Sequence, residues 1–136
     1  MTRFMNISIV ILLFVFNSGP ASAEWVVLEG PYQSPGMQSV YVDPAAMHRD
    51  GLLVTLWQLT NYWGIKGGML GLRYQSTKTQ KQFDCASKRV RLLSFAEFSG
   101  PMGTGAQMRG LFDNVWRSVD PASLDQTLWD LACSRL

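Results

Sequence analysis

Two cysteines, Cys85 and Cys133, lie downstream of a segment that reads as an export signal, and this combination constrains the fold more than any other feature. Met1-Thr2-Arg3 gives a positive start, Ile7 to Phe16 is apolar apart from Ser8, and Asn17-Ser18-Gly19-Pro20 stops any helix. Ala21-Ser22-Ala23 then places small residues where signal peptidase needs them. The apolar run is too short to span a bilayer, which takes about 20 residues. The expectation is a signal peptide over 1–23, cleaved after Ala23, and one domain over 24–136. Outside the cytoplasm, two cysteines with no third thiol read as one structural disulfide. Closing the loop from Cys85 to Cys133 contributes about 4 kcal/mol in the chain-entropy model. Against a total stability of roughly 5–15 kcal/mol, that is a large share.

Other uses of the two thiols fit poorly. No CxxC motif is present, and a zinc site needs about four ligands while His48 is the only histidine. No residue set calls for a cofactor. Removing 23 residues from 136 leaves 113, the length of one small domain. Without Arg3, eleven basic residues face ten acidic ones, so charge selects no partner. Lys88, Arg89 and Arg91 form the densest basic patch, which is narrower than a nucleic-acid footprint. A solvated strand edge guarded by charge is the expected account of it. Nothing after Ala23 is apolar enough to cross a membrane as a helix. The residue directly after the Ala-Ser-Ala site is Glu24 and not a cysteine, so no lipid anchor is expected there.

Along the chain, Trp25-Val26-Val27-Leu28 and Ser39-Val40-Tyr41-Val42 read as short strands. Asp43 is placed to cap a helical turn that begins at Pro44. From Leu52 to Tyr62 both alternating faces start apolar, which predicts a central strand covered on part of each side. A glycine-rich loop follows, with Gly64, Gly67, Gly68 and Gly71. Arg73 to Cys85 reads as a polar strand with Phe83 and Cys85 on its buried face. Ala86-Ser87 turns it into an antiparallel partner, Lys88 to Ser99. After the turn Gly100 to Gly105, Gln107 to Arg109 is a last short strand and Leu111 to Asn114 a connection. Leu124, Leu128 and Leu131 then fall at helical spacing. Two starts compete for that helix: Asp120 before Pro121, or Ser123 with Gln126 three residues on. The resulting fold class is α+β: a twisted antiparallel β-sheet of about five or six strands with a C-terminal α-helix packed on one face.

One ordered set of residues resembles the surface-adhesin protein E family of small exported proteins from Gram-negative bacteria. It runs Trp25, Val40-Tyr41-Val42-Asp43-Pro44, Trp57, Asn61-Tyr62, Ser76, Phe83-Asp84-Cys85, Arg91 and Ser99 to Gly105. It continues through Trp116, Pro121, Ser123, Trp129 and Cys133. The most specific parts are the Asp-Cys pair, the Gly-Pro-Met-Gly segment and the terminal Trp-to-Cys helix. The resemblance implies an antiparallel sheet with a C-terminal helix, a disulfide between the two cysteines, and adhesion to host extracellular-matrix and serum proteins. It therefore implies an exported, non-enzymatic binding protein in the periplasm or at the cell surface. The alternative reading is a periplasmic accessory protein or inhibitor of a cell-envelope enzyme.

Catalytic readings find little support in the residues. Ser-His-Asp or Cys-His chemistry would need His48, which reads as a surface histidine, and no pair of carboxylates stands out. Asp84 is expected to serve the hairpin turn. Gly103-Thr104-Gly105 reads as a tight turn, because a phosphate cradle needs a helix after it. The candidate binding residues are Tyr62, Trp63, Ile65 and Lys66, joined by Arg89 and Arg91 for an acidic protein partner. A homodimer is compatible with this reading. The competing and preferred expectation is that Trp63, Ile65 and Leu70 fold back onto the sheet.

Overall fold

The computed structural model describes residues 24–30, 36–67, 73–110 and 112–134. The segment read as a signal peptide lies outside them, as do Met69 and Leu70 of the glycine-rich loop. The chain forms strands β1 (Val26–Val27), β2 (Met37–Val42), β3 (His48–Asp50), β4 (Leu53–Gly67), β5 (Arg73–Asp84), β6 (Arg89–Phe98), β7 (Gln107–Arg109) and β8 (Arg117–Ser118). Helix α1 (Leu124–Cys133) closes it. All pairings are antiparallel, in the order β1-β2-β4-β5-β6-β7. The sheet is thus six strands wide, with the helix at the C-terminal end, as the sequence predicts.

Two short strands escape the sequence reading. β3 pairs with β4 at Leu53–Thr55, beyond the end of β2, and β8 pairs with β6 at Arg89 and Val90, beyond the end of β7. The Arg89 end of β6 is therefore covered by β8, which corrects the expectation of a charge-guarded free edge there. β4 is a central strand, between β2 and β5, as expected.

Alternation and register divide the sheet into two faces. On the helix face, Val54 of β4 stands opposite Phe83 of β5, which stands opposite Val90 of β6. These residues form one core with Val42, Leu56, Val119, Leu128 and Ala132. Phe83 and Leu128 are fully buried. At ten residues α1 is marginal alone, so its docking on Phe83 and Leu56 is what holds it.

Its ends are fixed individually. Ser123 is the N-cap and its Oγ accepts from the Gln126 amide at 3.1 Å, so the later of the two start signals is the one used. Ala122 has φ 58, a left-handed conformation that keeps Pro121 and Ala122 out of the helix. The capping box is half formed, because Gln126 Nε2 donates to Asp130 Oδ1 at 2.9 Å instead of reaching back. At the other end Arg49 Nη2 of β3 donates to the Ala132 carbonyl at 3.3 Å, where a cation complements the helix dipole. Lys81 of β5 pairs with Asp125 in the first turn at 2.6 Å.

The disulfide joins Cys85, just past β5, to Cys133, with their Cα atoms 5.6 Å apart. Trp129 Nε1 donates to the Asp84 carbonyl at 3.1 Å beside it. The Asp84 carboxylate accepts from the Ala86 and Ser87 amides, from Ser87 Oγ at 2.7 Å and from Arg89 Nη2 at 3.0 Å. It therefore organises the β5–β6 turn, as expected. The Ser87 hydroxyl and then Arg89 hold its pKa down to about 2, outweighing a small opposing effect of burial.

Candidate binding surface

β4 does not end at Tyr62. A bulge between Asn61 and Lys66 lets the strand continue, and Lys66 and Gly67 pair with Tyr74 and Arg73. Gly64, at φ +66, supplies the left-handed backbone that such an irregularity needs. The stretch read as a glycine-rich loop is, up to Gly67, the end of a long β-hairpin arm.

The arm holds its side chains in two different ways. The Tyr62 ring meets Tyr74 edge-on, with centroids 5.4 Å apart, and its hydroxyl lies 3.3 Å from Thr77 Oγ1. Burial is the first cause of a raised Tyr74 pKa, followed by the charges of Tyr62 and Glu97. The Trp63 amide donates to the Gly36 carbonyl at 2.7 Å. Lys66 lies so close to Gly36 that a Cβ there would come within 2.7 Å of Nζ. Tyr62, Lys66 and the Trp63 backbone are thus anchored. The Trp63 and Ile65 side chains are not: they are 63% and 56% exposed. The expectation that these two fold back onto the sheet is overturned. The backbone around them is held by the pairings of Tyr62 with Met37 and of Lys66 with Tyr74, so the side chains need no burial to keep the strand in place.

Arg89 and Arg91 do not join this surface. They lie at the opposite end of the sheet, since Arg89 stands opposite Asp84 and Asp84 opposite Leu53. Leu53 to Tyr62 is nine strand steps, roughly 30 Å. Both guanidinium groups stack on Trp116, at 5.3 and 4.7 Å from the ring centroid. Arg91 Nε also donates to Gln82 Oε1 at 2.8 Å. Lys88 covers Trp129 in the same manner at 5.6 Å. The basic cluster thus has aromatic partners within the fold.

The Gly100 to Gly105 segment is a second built feature. A 3-10 turn over Pro101–Gly103 leads into β7, not into a helix, so no phosphate cradle forms. Asn61 clamps it, accepting from the Met102 amide at 2.8 Å and donating to Met102 Sδ at 3.0 Å. Fully buried Ser76 donates to the Gly100 carbonyl and accepts from the Gly103 amide. Asn61, Ser76 and the glycine-rich turn therefore form one structural unit.

Among the described residues, no group of three or more His, Cys, Asp or Glu side chains is gathered to hold a metal. His48 is exposed on β3, and among the described residues no helix is long and apolar enough to cross a membrane.

The family model described as surface-adhesin protein E matches residues 25–134. The chain belongs to that family. Its fold is similar to the structure of Haemophilus influenzae protein E, with a TM-score of 0.61 at 14% identity over 82% of this chain and 94% of the other. A second crystal form of that protein gives a TM-score of 0.61 at 16% identity, covering 81% and 97%. Protein E from non-typeable H. influenzae gives 0.57 at 15% identity, covering 83% and 86%. At such identities the likeness concerns the fold. No curated protein sequence matches the chain. Membership in a surface-adhesin family supports an adhesin-like protein.

Proposed function

We propose that this family member is a non-enzymatic adhesin that contacts other proteins through the end of its β4–β5 arm. The observation that carries the reading is the exposure of Trp63 and Ile65 side by side on a backbone anchored by Tyr62, Lys66 and Gly36. Aromatic residues bury much area at small entropic cost when a partner covers them, and a rigid support lowers that cost further. Contiguous apolar surface left exposed marks interaction sites, and Trp63 and Ile65 are the large apolar side chains that this end of the arm exposes. Residues 1–23 serve in this reading as the export signal, and the disulfide suits the compartment they lead to.

The test uses immobilised extracellular-matrix proteins and intact cells. The Trp63→Ala, Ile65→Ala double variant is expected to lose at least tenfold in binding while keeping its thermal midpoint. Protease added to whole cells is expected to degrade the protein from outside. Retention of full binding by the double variant moves the contact surface elsewhere. Complete protection from added protease places the protein inside the envelope and removes adhesion as its role.

A further inference from the structure

The face of the sheet turned away from α1 carries a feature that the arm does not explain. A trough of about 1170 Å³ opens there, lined by Trp25, Trp57, Lys78, Ala96, Phe98 and Arg109 among others. Its floor comes from Trp57 of β4, Lys78 of β5, and Leu93 to Ala96 with Phe98 of β6, and one wall from Glu24 and Trp25 just before β1. Half-buried Lys78 lies in it, with Nζ 5.7 Å from the Trp25 ring centroid and 5.3 Å from that of Phe98. Among the described residues no carboxylate pairs with this ammonium and no acceptor takes a hydrogen bond from it. Lys81, three residues on and on the other face of the same strand, pairs with Asp125. The two lysines of β5 are thus treated differently: one is neutralised by the helix, the other is flanked by ring faces with its donors open to the trough.

The glycine-rich turn makes room for that arrangement. Gly103 has φ +68, and a Cβ there would come within 2.7 Å of Lys78 Cε and 3.2 Å of Leu59 Cδ1. The Asn61 and Ser76 clamps hold the turn against the lysine stem. Of the two acids on the lining, Asp43 is engaged by the Ala45 amide it caps, and Glu24 is exposed. The acids offset the two cations of the lining, exposed Arg109 and half-buried Lys78, so they oppose any large negative charge, while Lys78 between the rings offers three donors to a single one. Such a lining suits a monoanion with an apolar body better than a phosphate.

We propose that this trough binds a carboxylate attached to an apolar body of aromatic size. Lys78 takes the carboxylate, and Trp25, Trp57 and Phe98 take the body. The site is separate from Trp63 and Ile65, so either reading can fail without the other. The ligand's source is a free small carboxylate or the C-terminal residue of a peptide, and the probes distinguish the two.

The experiment titrates the disulfide-bonded protein with N-acetylphenylalanine, following the indole N–H signals of Trp25 and Trp57 by NMR. Saturable shifts of both are expected. N-acetylphenylalaninamide, which lacks the charge, is expected to bind at least tenfold more weakly. Lys78→Met, which keeps the stem between the rings, is expected to cause a similar loss, and Lys81→Met none. The peptide acetyl-Gly-Gly-Gly-Phe binding more tightly than N-acetylphenylalanine assigns a peptide terminus, and equal binding assigns a small carboxylate. Equal binding of acid and amide to the wild-type protein overturns the proposal, whether or not Lys78→Met folds. So does an absence of shifts at Trp25 and Trp57.

Discussion

The two ends of the β4–β5 hairpin are built to opposite rules. At the Asp84 end, a disulfide, an indole hydrogen bond, a four-donor carboxylate turn and the docking of α1 converge within a few residues. At the Gly67 end, two strands continue past the rest of the sheet and display Trp63 and Ile65 to solvent. A small domain needs one end that cannot come apart, because its core is modest for its surface. Where the backbone is already fixed, the other end is free to carry apolar side chains that contribute nothing to folding. In the proposed reading stability and contact are separated along one pair of strands, and each difference between the ends can be measured.

The largest expected effect is at the core of the closed end. Phe83→Ala removes a fully buried ring from beneath α1 and is expected to cost about 3–5 kcal/mol in a denaturant titration. A loss near 1 kcal/mol would show that the helix collapses into the gap and that this end is less rigid than its contacts suggest. Next comes the disulfide. Cys85→Ser with Cys133→Ser is expected to cost about 2–4 kcal/mol, and mass analysis without reductant should find the wild-type chain two protons lighter than its reduced form.

A smaller, pH-dependent effect comes from Asp84. Its pKa is lowered from 3.8 to about 2 on folding, so the unfolded state binds the proton more readily. The stability it contributes is fully present above about pH 4 and is lost as pH falls from about 4 towards 2. Asp84→Asn is therefore expected to melt below the wild type at pH 6, with the gap closing by pH 2. A gap that persists at pH 2 would mean that the turn depends on the shape of the side chain and not on its charge.

Much of the closed end was legible in the sequence. Cysteine arithmetic, with the segment read as an export signal, pointed to the pairing, Ser123 was one of two competing helix starts, and alternation placed Phe83 and Cys85 on the buried face. These signals are local or nearly so. What was missed depends on pairings and contacts that the residues involved do not signal by themselves. His48-Arg49-Asp50 has no apolar alternation and becomes a strand because β4 offers it an edge. The basic cluster finds Trp116 some 25 residues on, a contact that spacing does not reveal. Lys78 looks like an ordinary polar strand residue until the chain before β1 and Gly103 close around it. Gly64 and Gly67 read as a loop because glycine is poor in strands, although a bulge uses Gly64's left-handed conformation to prolong one. The folded-back reading of Trp63 and Ile65 failed for the same reason: hydrophobicity says that a side chain prefers burial, not that the fold has surface to offer it.

The smallest expected stability effect therefore discriminates best. Trp63→Ala deletes the largest exposed side chain of the arm, and in the separated design it changes unfolding free energy by no more than about 0.5 kcal/mol. The hydrogen bond from the Trp63 amide to the Gly36 carbonyl and the Tyr62 contact with Tyr74 survive the substitution, since one uses backbone and the other a neighbouring ring. A loss of 2 kcal/mol or more would mean that the indole covers apolar surface in solution, and that both ends of the hairpin serve the core. A neutral result joined to lost adhesion shows the reverse: a tryptophan with no work to do in folding, retained at the tip of a braced arm for what it meets outside.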